Sequence, residues 1–483
     1  MNDPSELSAS EARRLIGCGE LSPSELLEAC ISRIEAVNPQ INAIVATDLK
    51  QARIEAKIAE NAVRAGNSLP PLHGLPIGIK DLNATKGLRT TWGSKLFENH
   101  VPKEDEALVA RLRAAGGIIV GKTNTPEFGS GTATDNLVYG ATRNPFDLER
   151  TSGGSSGGSA AALATNMLPL CQGGDTGGSL RNPATWCGVV GFRSTPGLVP
   201  QENRTLNYTH FNVQGPMARS VSDIALMMTG CVGVDDRDPM TRPCNPQTFL
   251  KIKPANLKNV RVAWTEDFGG VAPLDNGIRG CFKRVIDTLV NTFQSLECRN
   301  PDFSDARDCF WTLRCVNYLA SHKTRYEKHR NILSKNIIAN VEAGAKMNLS
   351  DVSTAETQWR KIYRDFGVFF ENIDLLIVPG NATPAFRIED GIPSEINGKK
   401  MKNYMDASLI RSALTLTGHP VLALPCGYDH LGLPFGLQLV GKRRGDLELL
   451  GISMALEAVF CKNPDLRRAT PNLSGPERPR SMI

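Results

Sequence analysis

Several features that would narrow the function quickly are missing from this chain. Its 12 cysteines include no C-x-x-C pair, and no His, Cys, Asp and Glu cluster at metal-ligand spacing, so neither a metal nor a cofactor is expected. Charge of one sign is missing too. The 55 basic and 50 acidic residues leave a net charge of +5, too even to imply nucleic acid as a partner. Lys399-Lys400-Met401-Lys402 and Lys442-Arg443-Arg444 are short basic runs that read as solvated faces. No apolar run approaches the ~20 residues that a membrane span needs. Met1-Asn2-Asp3-Pro4 lacks the charged-then-apolar pattern of a signal peptide. The expected setting is the cytoplasm, where Cys30, Cys171, Cys187 and Cys426 act as small buried hydrophobes. A sequon such as Asn207-Tyr208-Thr209 then carries little weight.

What is present is ordinary globular material, 41% hydrophobic and 22% charged, in 483 residues. Ser22-Pro23-Ser24-Glu25 offers an N-cap, a first-turn proline and a capping-box glutamate, followed by Leu26, Leu27, Cys30, Ile31 and Ile34 at helical spacing. Residues 8–17 and 48–65 also read as helices, giving a helical N-terminal arm over 1–66. From Leu72 the pattern alternates. Short apolar strands are expected at 74–81, 117–121, 167–170, 260–264, 375–378, 421–424 and 436–440. Helices are expected at 105–115, 160–165, 276–296 and 446–460. This rhythm predicts an α/β fold with one large mixed sheet covered by helices on both faces. Residues 302–372 break it with a long helical stretch carrying Trp311, Tyr318, His322, Tyr326, His329, Trp359 and Tyr363, either core filler or pocket lining. The end, 472–483, reads as frayed.

The stretch from Thr151 to Gly191 organises the rest. It holds two Gly/Ser clusters, Gly153-Gly154-Ser155-Ser156-Gly157-Gly158-Ser159 and Asp175-Thr176-Gly177-Gly178-Ser179. Such runs are commonly flexible linkers. Here the first passes directly into an Ala-rich helical segment, and the flanks Met167-Leu168-Pro169-Leu170 and Val189-Val190 are apolar. Glycines in a packed region imply close approach of another group. Serines among them become candidates for chemistry.

A reactive serine needs a base. None of the seven histidines stands in a recognisable catalytic context, so a Ser-His-Asp triad has weak support. Lys80 ends an apolar strand, where desolvation would lower its pKa and make it a competent base. The competing reading is a lysine that snorkels to the surface.

The strings GGSSGGS, DTGGSLRNPA and CGVVG resemble the amidase signature family. LHGLPIGIKDL, KTNTPEFG, ATRNPFD, GPMARSVSDIALMM, GHPVLALPCG and GLPFGLQLVG extend that resemblance over most of the chain. It implies a single domain with a catalytic core over 67–250, a helical insertion over 300–372 that shapes the substrate pocket, and a C-terminal part of the sheet over 373–470. It also implies Lys80 as base, Ser155 as bridging serine after a cis peptide bond at Gly154–Ser155, and Ser179 as nucleophile. Ser179 would pass its proton to Ser155 and Ser155 to Lys80, and the alkoxide would attack an amide carbonyl. The backbone N–H groups of Thr176, Gly177, Gly178 and Ser179 would form the oxyanion hole. Asp175 and Arg181 read as structural, with Asp175 as a catalytic acid the rival. Ser156 is expected to fix the loop into the following helix. Two departures stand out: Gly174, where Thr or Ser is frequent, and Phe192-Arg193-Ser194-Thr195-Pro196-Gly197, which differs from tRNA-dependent amidotransferase subunits.

The implied function is hydrolysis of a small-molecule carboxamide through an acyl-enzyme. The alternatives are a catalytically silent binding protein on the same scaffold and a glutamine-amidotransferase subunit. Neither nucleic acid nor a membrane is an expected partner, and homodimer assembly is left open.

Overall fold

The computed structural model describes residues 3–473; the rest of the expected frayed end lies outside them. Eleven strands form one mixed sheet: β1 (Ile44–Thr47), β2 (Pro76–Lys80), β3 (Ile118–Thr123), β4 (Leu170–Asp175), β5 (Val190–Arg193), β6 (Val213–Ala218), β7 (Arg261–Trp264), β8 (Ser295–Cys298), β9 (Leu375–Pro379), β10 (Val421–Tyr428) and β11 (Pro434–Gly441). Their order is β1-β3-β2-β4-β6-β5-β10-β11-β9-β7-β8. The trios β3-β2-β4 and β9-β7-β8 are parallel within themselves, and the remaining neighbours are antiparallel.

Thirteen α-helices accompany the sheet among the described residues. They are α1 (Ala9–Gly17), α2 (Pro23–Ile41), α3 (Leu49–Arg64), α4 (Ala107–Ala114), α5 (Gly157–Ala164), α6 (Arg181–Trp186) and α7 (Val221–Cys231). Then follow α8 (Asn276–Thr288), α9 (Ala306–His329), α10 (Lys335–Lys346), α11 (Leu349–Phe369), α12 (Leu409–Thr415) and α13 (Asp446–Lys462). Strand β9 shows why both faces are covered. Successive side chains point to opposite faces; Leu375 and Ile377 join a core with α7, α8 and α13, while Leu376 and Val378 join another with α9, α11 and α12. None of the helices is long and apolar enough to cross a membrane.

Helix α2 begins as its sequence dictates, with a reciprocal Ser22–Glu25 capping box and Pro23 in the first turn. The N-terminal arm is not wholly helical, however. After Asn42 turns left-handed, residues 44–47 pair antiparallel with β3 at the sheet edge. The strand expected at 167–170 lies at Leu170–Asp175 instead, because Gln172-Gly173-Gly174 has no apolar pattern yet pairs along the whole of β6. The helix expected over 276–296 stops at Thr288, and the chain returns as β8. Strands β5 and β6 have no counterpart in the expected pattern.

Two glycines begin α5 for a steric reason. A Cβ on Gly158 would lie 2.2 Å from the backbone nitrogen of Asn124 and 2.6 Å from Ala43 O. By contrast, Gly280 within α8 has only Arg284 Nη1 within reach, at 3.9 Å, and no positive φ. Gly158→Ala should therefore cost at least the ~1–3 kcal/mol of overpacking, whereas Gly280→Ala should gain about 0.4–1 kcal/mol. Urea denaturation midpoints of the two variants test this; equal shifts would contradict the packing described.

Candidate active site

Strands β2 and β4 run parallel side by side, with Gly78 opposite Cys171, so Lys80 and Asp175 finish at the same edge of the sheet. The loop entering α5 closes over them. Lys80 is 1% exposed, and its Nζ lies 2.7 Å from Ser155 Oγ and 2.9 Å from Ser156 Oγ. Its backbone N–H donates to Gln172 Oε1 at 3.2 Å. Burial pulls the Lys80 pKa down to about 7, against the opposing charge of Asp175. The snorkelling lysine is excluded.

The two serine clusters are stitched together, since Ser156 N–H donates to Ser179 O at 3.3 Å. The Gly154–Ser155 peptide is cis. Ser156 does more than fix a loop: besides touching Lys80, its Oγ lies 3.3 Å from both the nitrogen and the oxygen of Gly174. A second buried lysine, Lys122, is held at about 8 by burial. It is bound to Asn83 O and Thr85 Oγ1, away from both serine clusters.

Lys80, Ser155 and the run from Thr176 to Ser179 line one cavity of about 200 Å³. An adjoining cavity of about 630 Å³ shares Lys80 and Gly174, and continues towards Trp92, Phe97 and Glu106. The first is closed by α9, through Arg314, Asn317, Tyr318, Ser321 and His322. Arg314, Tyr318 and His322 recur every fourth residue on one face of that helix, a periodicity from which the lining could have been read. The other aromatics noted in this segment point elsewhere. Tyr363 lies under the Arg443 guanidinium at 3.6 Å, Trp359 Nε1 donates to Leu416 O, and Tyr326 OH donates to Glu342. His322 does line the cavity, but burial first and then Arg325 pull its pKa to about 4. Among the described residues no histidine hydrogen-bonds to Ser155, Ser156 or Ser179.

The turn after β4 hangs on Asp175. This fully buried carboxylate accepts from Gly178 N–H at 2.9 Å, Leu180 N–H at 3.1 Å, and Arg181 Nε and Nη2, both at 3.0 Å. Arg193 Nη1 adds a contact at 3.3 Å. Burial alone would raise the carboxyl pKa, but the two guanidiniums hold it well below the usual range. Every lone pair is engaged, which leaves no capacity for acid catalysis. Because Gly178 N–H is taken, the amides of this turn without a protein acceptor are those of Thr176, Gly177 and Ser179. Of the four amides expected to form the oxyanion hole, three are thus without a protein acceptor. Gly178 matters for its missing side chain: its φ is +116°, and a Cβ would sit 2.7 Å from Arg411.

Asp175→Asn would leave Arg181 and Arg193 buried without a carboxylate, and breaking such a pair costs about 3–5 kcal/mol. The wild-type contribution is fully present above the unfolded carboxyl pKa of ~3.9 and fades as pH falls through the lower folded value. The Asn variant should lose that stability at pH 7, read by denaturant midpoint. A loss below about 1 kcal/mol would contradict the role given to Asp175.

The family profile described as Amidase matches residues 25–450. An acylamidase of Rhodococcus erythropolis is 32% identical over 455 residues, covering 94% of this chain and 95% of that protein. A glutamyl-tRNA(Gln) amidotransferase subunit of Geobacillus kaustophilus is 32% identical over 475 residues, covering 93% and 96%. The crystal structure of a bacterial aryl acylamidase of the amidase signature family superposes with a TM-score of 0.87 at 27% identity, over 94% of this chain and 96% of that one. With the profile spanning most of the sequence and the sheet shared throughout, the chain belongs to the amidase signature family of enzymes.

Proposed function

We propose that the protein hydrolyses a small carboxamide through an acyl-enzyme on Ser179, with Ser155 as proton bridge and neutral Lys80 as base. One observation carries this reading: a fully buried amine, near neutrality in pKa, 2.7 Å from a serine hydroxyl that shares a cavity with Ser179.

The hydrogen-bond inventory at Nζ supports this direction of transfer. A neutral amine has two N–H groups and one lone pair. Ser156 Oγ, which can donate to Gly174 O, accepts an N–H from Lys80, which leaves the lone pair available to Ser155. Ser155 then gives its proton to Lys80 and receives the proton of Ser179. Ser179 Oγ bonds to the carbonyl carbon, and the oxyanion takes the N–H groups of Thr176, Gly177 and Ser179. The proton returns through Ser155 to the amine as the C–N bond breaks. Water, activated along the same path, cleaves the ester and releases a carboxylate.

A second reading, an amidotransferase subunit that feeds ammonia to partner chains, is favoured by the relatives named as glutamyl-tRNA(Gln) amidotransferase subunits. Turnover of simple amides by the isolated chain, unstimulated by any partner, would exclude it.

The assignment of the serines is tested by intact-mass analysis after a fluorophosphonate probe. Wild-type protein should gain one adduct, and Ser179→Ala none. Ser155→Ala should label at least ~10²-fold more slowly, as for loss of a proton-transfer group, with its melting temperature kept. Ser156→Ala should slow labelling less, by the ~0.5–1.5 kcal/mol of one neutral hydrogen bond. An adduct on Ser179→Ala, or a Ser156→Ala variant deader than Ser155→Ala, would overturn the assignment.

A further inference from the structure

The basic groups lining the 200 Å³ cavity are Lys80, Arg204, Arg314 and Arg411; among the described residues no Asp or Glu lines it. The three arginines are held differently. Arg204 is paired with buried Asp238 at 2.9 Å. Arg411 commits both terminal nitrogens, to Asn381 and Ser408, and its free Nε is sealed from the cavity. Arg314 is neither paired nor saturated. It is 5% exposed, and its partners are neutral: Asn340 Oδ1 at 3.1 Å, Tyr318 OH at 2.7 Å and Tyr404 OH at 2.7 Å. Nη1 donates to no protein atom, yet it is not among the buried, unsatisfied nitrogens of the described residues. The open donor therefore belongs to a side chain that lines the cavity.

A role confined to tying α9 to α10 leaves two facts without a cause. A guanidinium cannot shed its charge, and burying it without an anion is costly. A neutral side chain could hold Asn340 and Tyr404 without that cost. Tyr318, Tyr404 and Asn340 also fix the guanidinium plane through Nε and Nη2, which leaves Nη1 as the donor for an incoming anion. We propose that Arg314 anchors a carboxylate of the substrate, so that the protein acts on small amides whose acyl portion is itself an anion, the half-amides of short dicarboxylic acids. The inference rests on the amidase reading above.

The polarity of the site sets which half of the substrate carries the charge. The acyl carbon is bonded to Ser179, which lines the smaller cavity together with Arg314, whereas the larger cavity is lined by neither. The acyl half thus lies in the smaller cavity with Arg314. At about 200 Å³ that cavity suits a short acyl chain.

The test compares malonamate, succinamate and glutaramate with neutral isosteres, 4-methylpentanamide in the case of succinamate. Wild-type kcat/KM should favour the best half-amide over its isostere by at least ~30-fold, as expected for a desolvated charge pair. Arg314→Gln should bring the ratio near one, in a variant that still folds and still labels on Ser179. Arg314→Lys, which keeps the charge but not the fork, should fall between. Calorimetry provides a second arm without turnover: succinate or glutarate should bind the wild type more tightly than butyrate does, and Arg314→Gln should lose the difference. Normal labelling of Ser179 with no preference for half-amides would overturn the anchor while leaving the amidase reading intact. Dicarboxylate binding that depends on Arg314, in a protein that neither labels nor hydrolyses, would support the anchor and reject the amidase reading.

Discussion

The site depends on keeping one amine out of water. Lys80 ends a strand with neighbours on both sides, and its Nζ has two serine hydroxyls, not a carboxylate, as its hydrogen-bonding contacts. Burial lowers its pKa to about 7 from the ordinary 10.5, so at neutral pH a large fraction is a free base. The same burial opposes folding. Between pH 7 and 10.5 the unfolded chain binds a proton that the native one does not, so stability rises with pH across that window and the full penalty remains below it. At ~1.36 kcal/mol per pKa unit the penalty is on the order of a few kcal/mol. Replacing Lys80 by an apolar residue would be the easier sequence to fold, a cost that fits the proton-transfer role proposed for it.

Charge around this amine is arranged to leave it alone. Asp175 is the nearest anion of consequence, and Arg181 and Arg193 absorb it. Its oxygens are turned to the loop, where they hold Gly178 and Leu180 N–H and so shape the turn that carries Ser179. One carboxylate therefore positions the loop of Ser179, the proposed nucleophile, compensates two buried arginines, and is kept from capturing the lysine's proton. Among the described residues the cavity beyond is lined by arginines and by no Asp or Glu, the imbalance on which the proposed anchor rests.

Much of this was legible in the sequence. GLPIGIKD marks a buried strand ending in lysine, and two Gly/Ser clusters flanking a helical segment mark backbones that approach closely. The capping box before α2 was readable at residue level. What was not legible depended on tertiary packing. Strand β4 contains Gly173 and Gly174, so it reads as a loop until its pairing with β6 is known. Neighbouring Ser155 and Ser156 give no sign that both hydroxyls reach the same amine. The loss of Gly178 from the open amides follows from where Asp175 turns its oxygens, and the unpaired state of Arg314 from three residues far apart in the chain. Periodicity alone, at positions 314, 318 and 322, held the one available hint.

The central claim is that Lys80 works as a neutral amine because it is buried. Its most direct test is the rate of fluorophosphonate labelling of Ser179 as a function of pH, in wild-type protein and in Lys80→Ala. The account predicts a rate that rises with pH through a single midpoint near 7 and then levels off. In Lys80→Ala the rate should fall by at least ~10²-fold and the midpoint should vanish. A midpoint near 10, or one near 7 that survives the loss of Lys80, would contradict it.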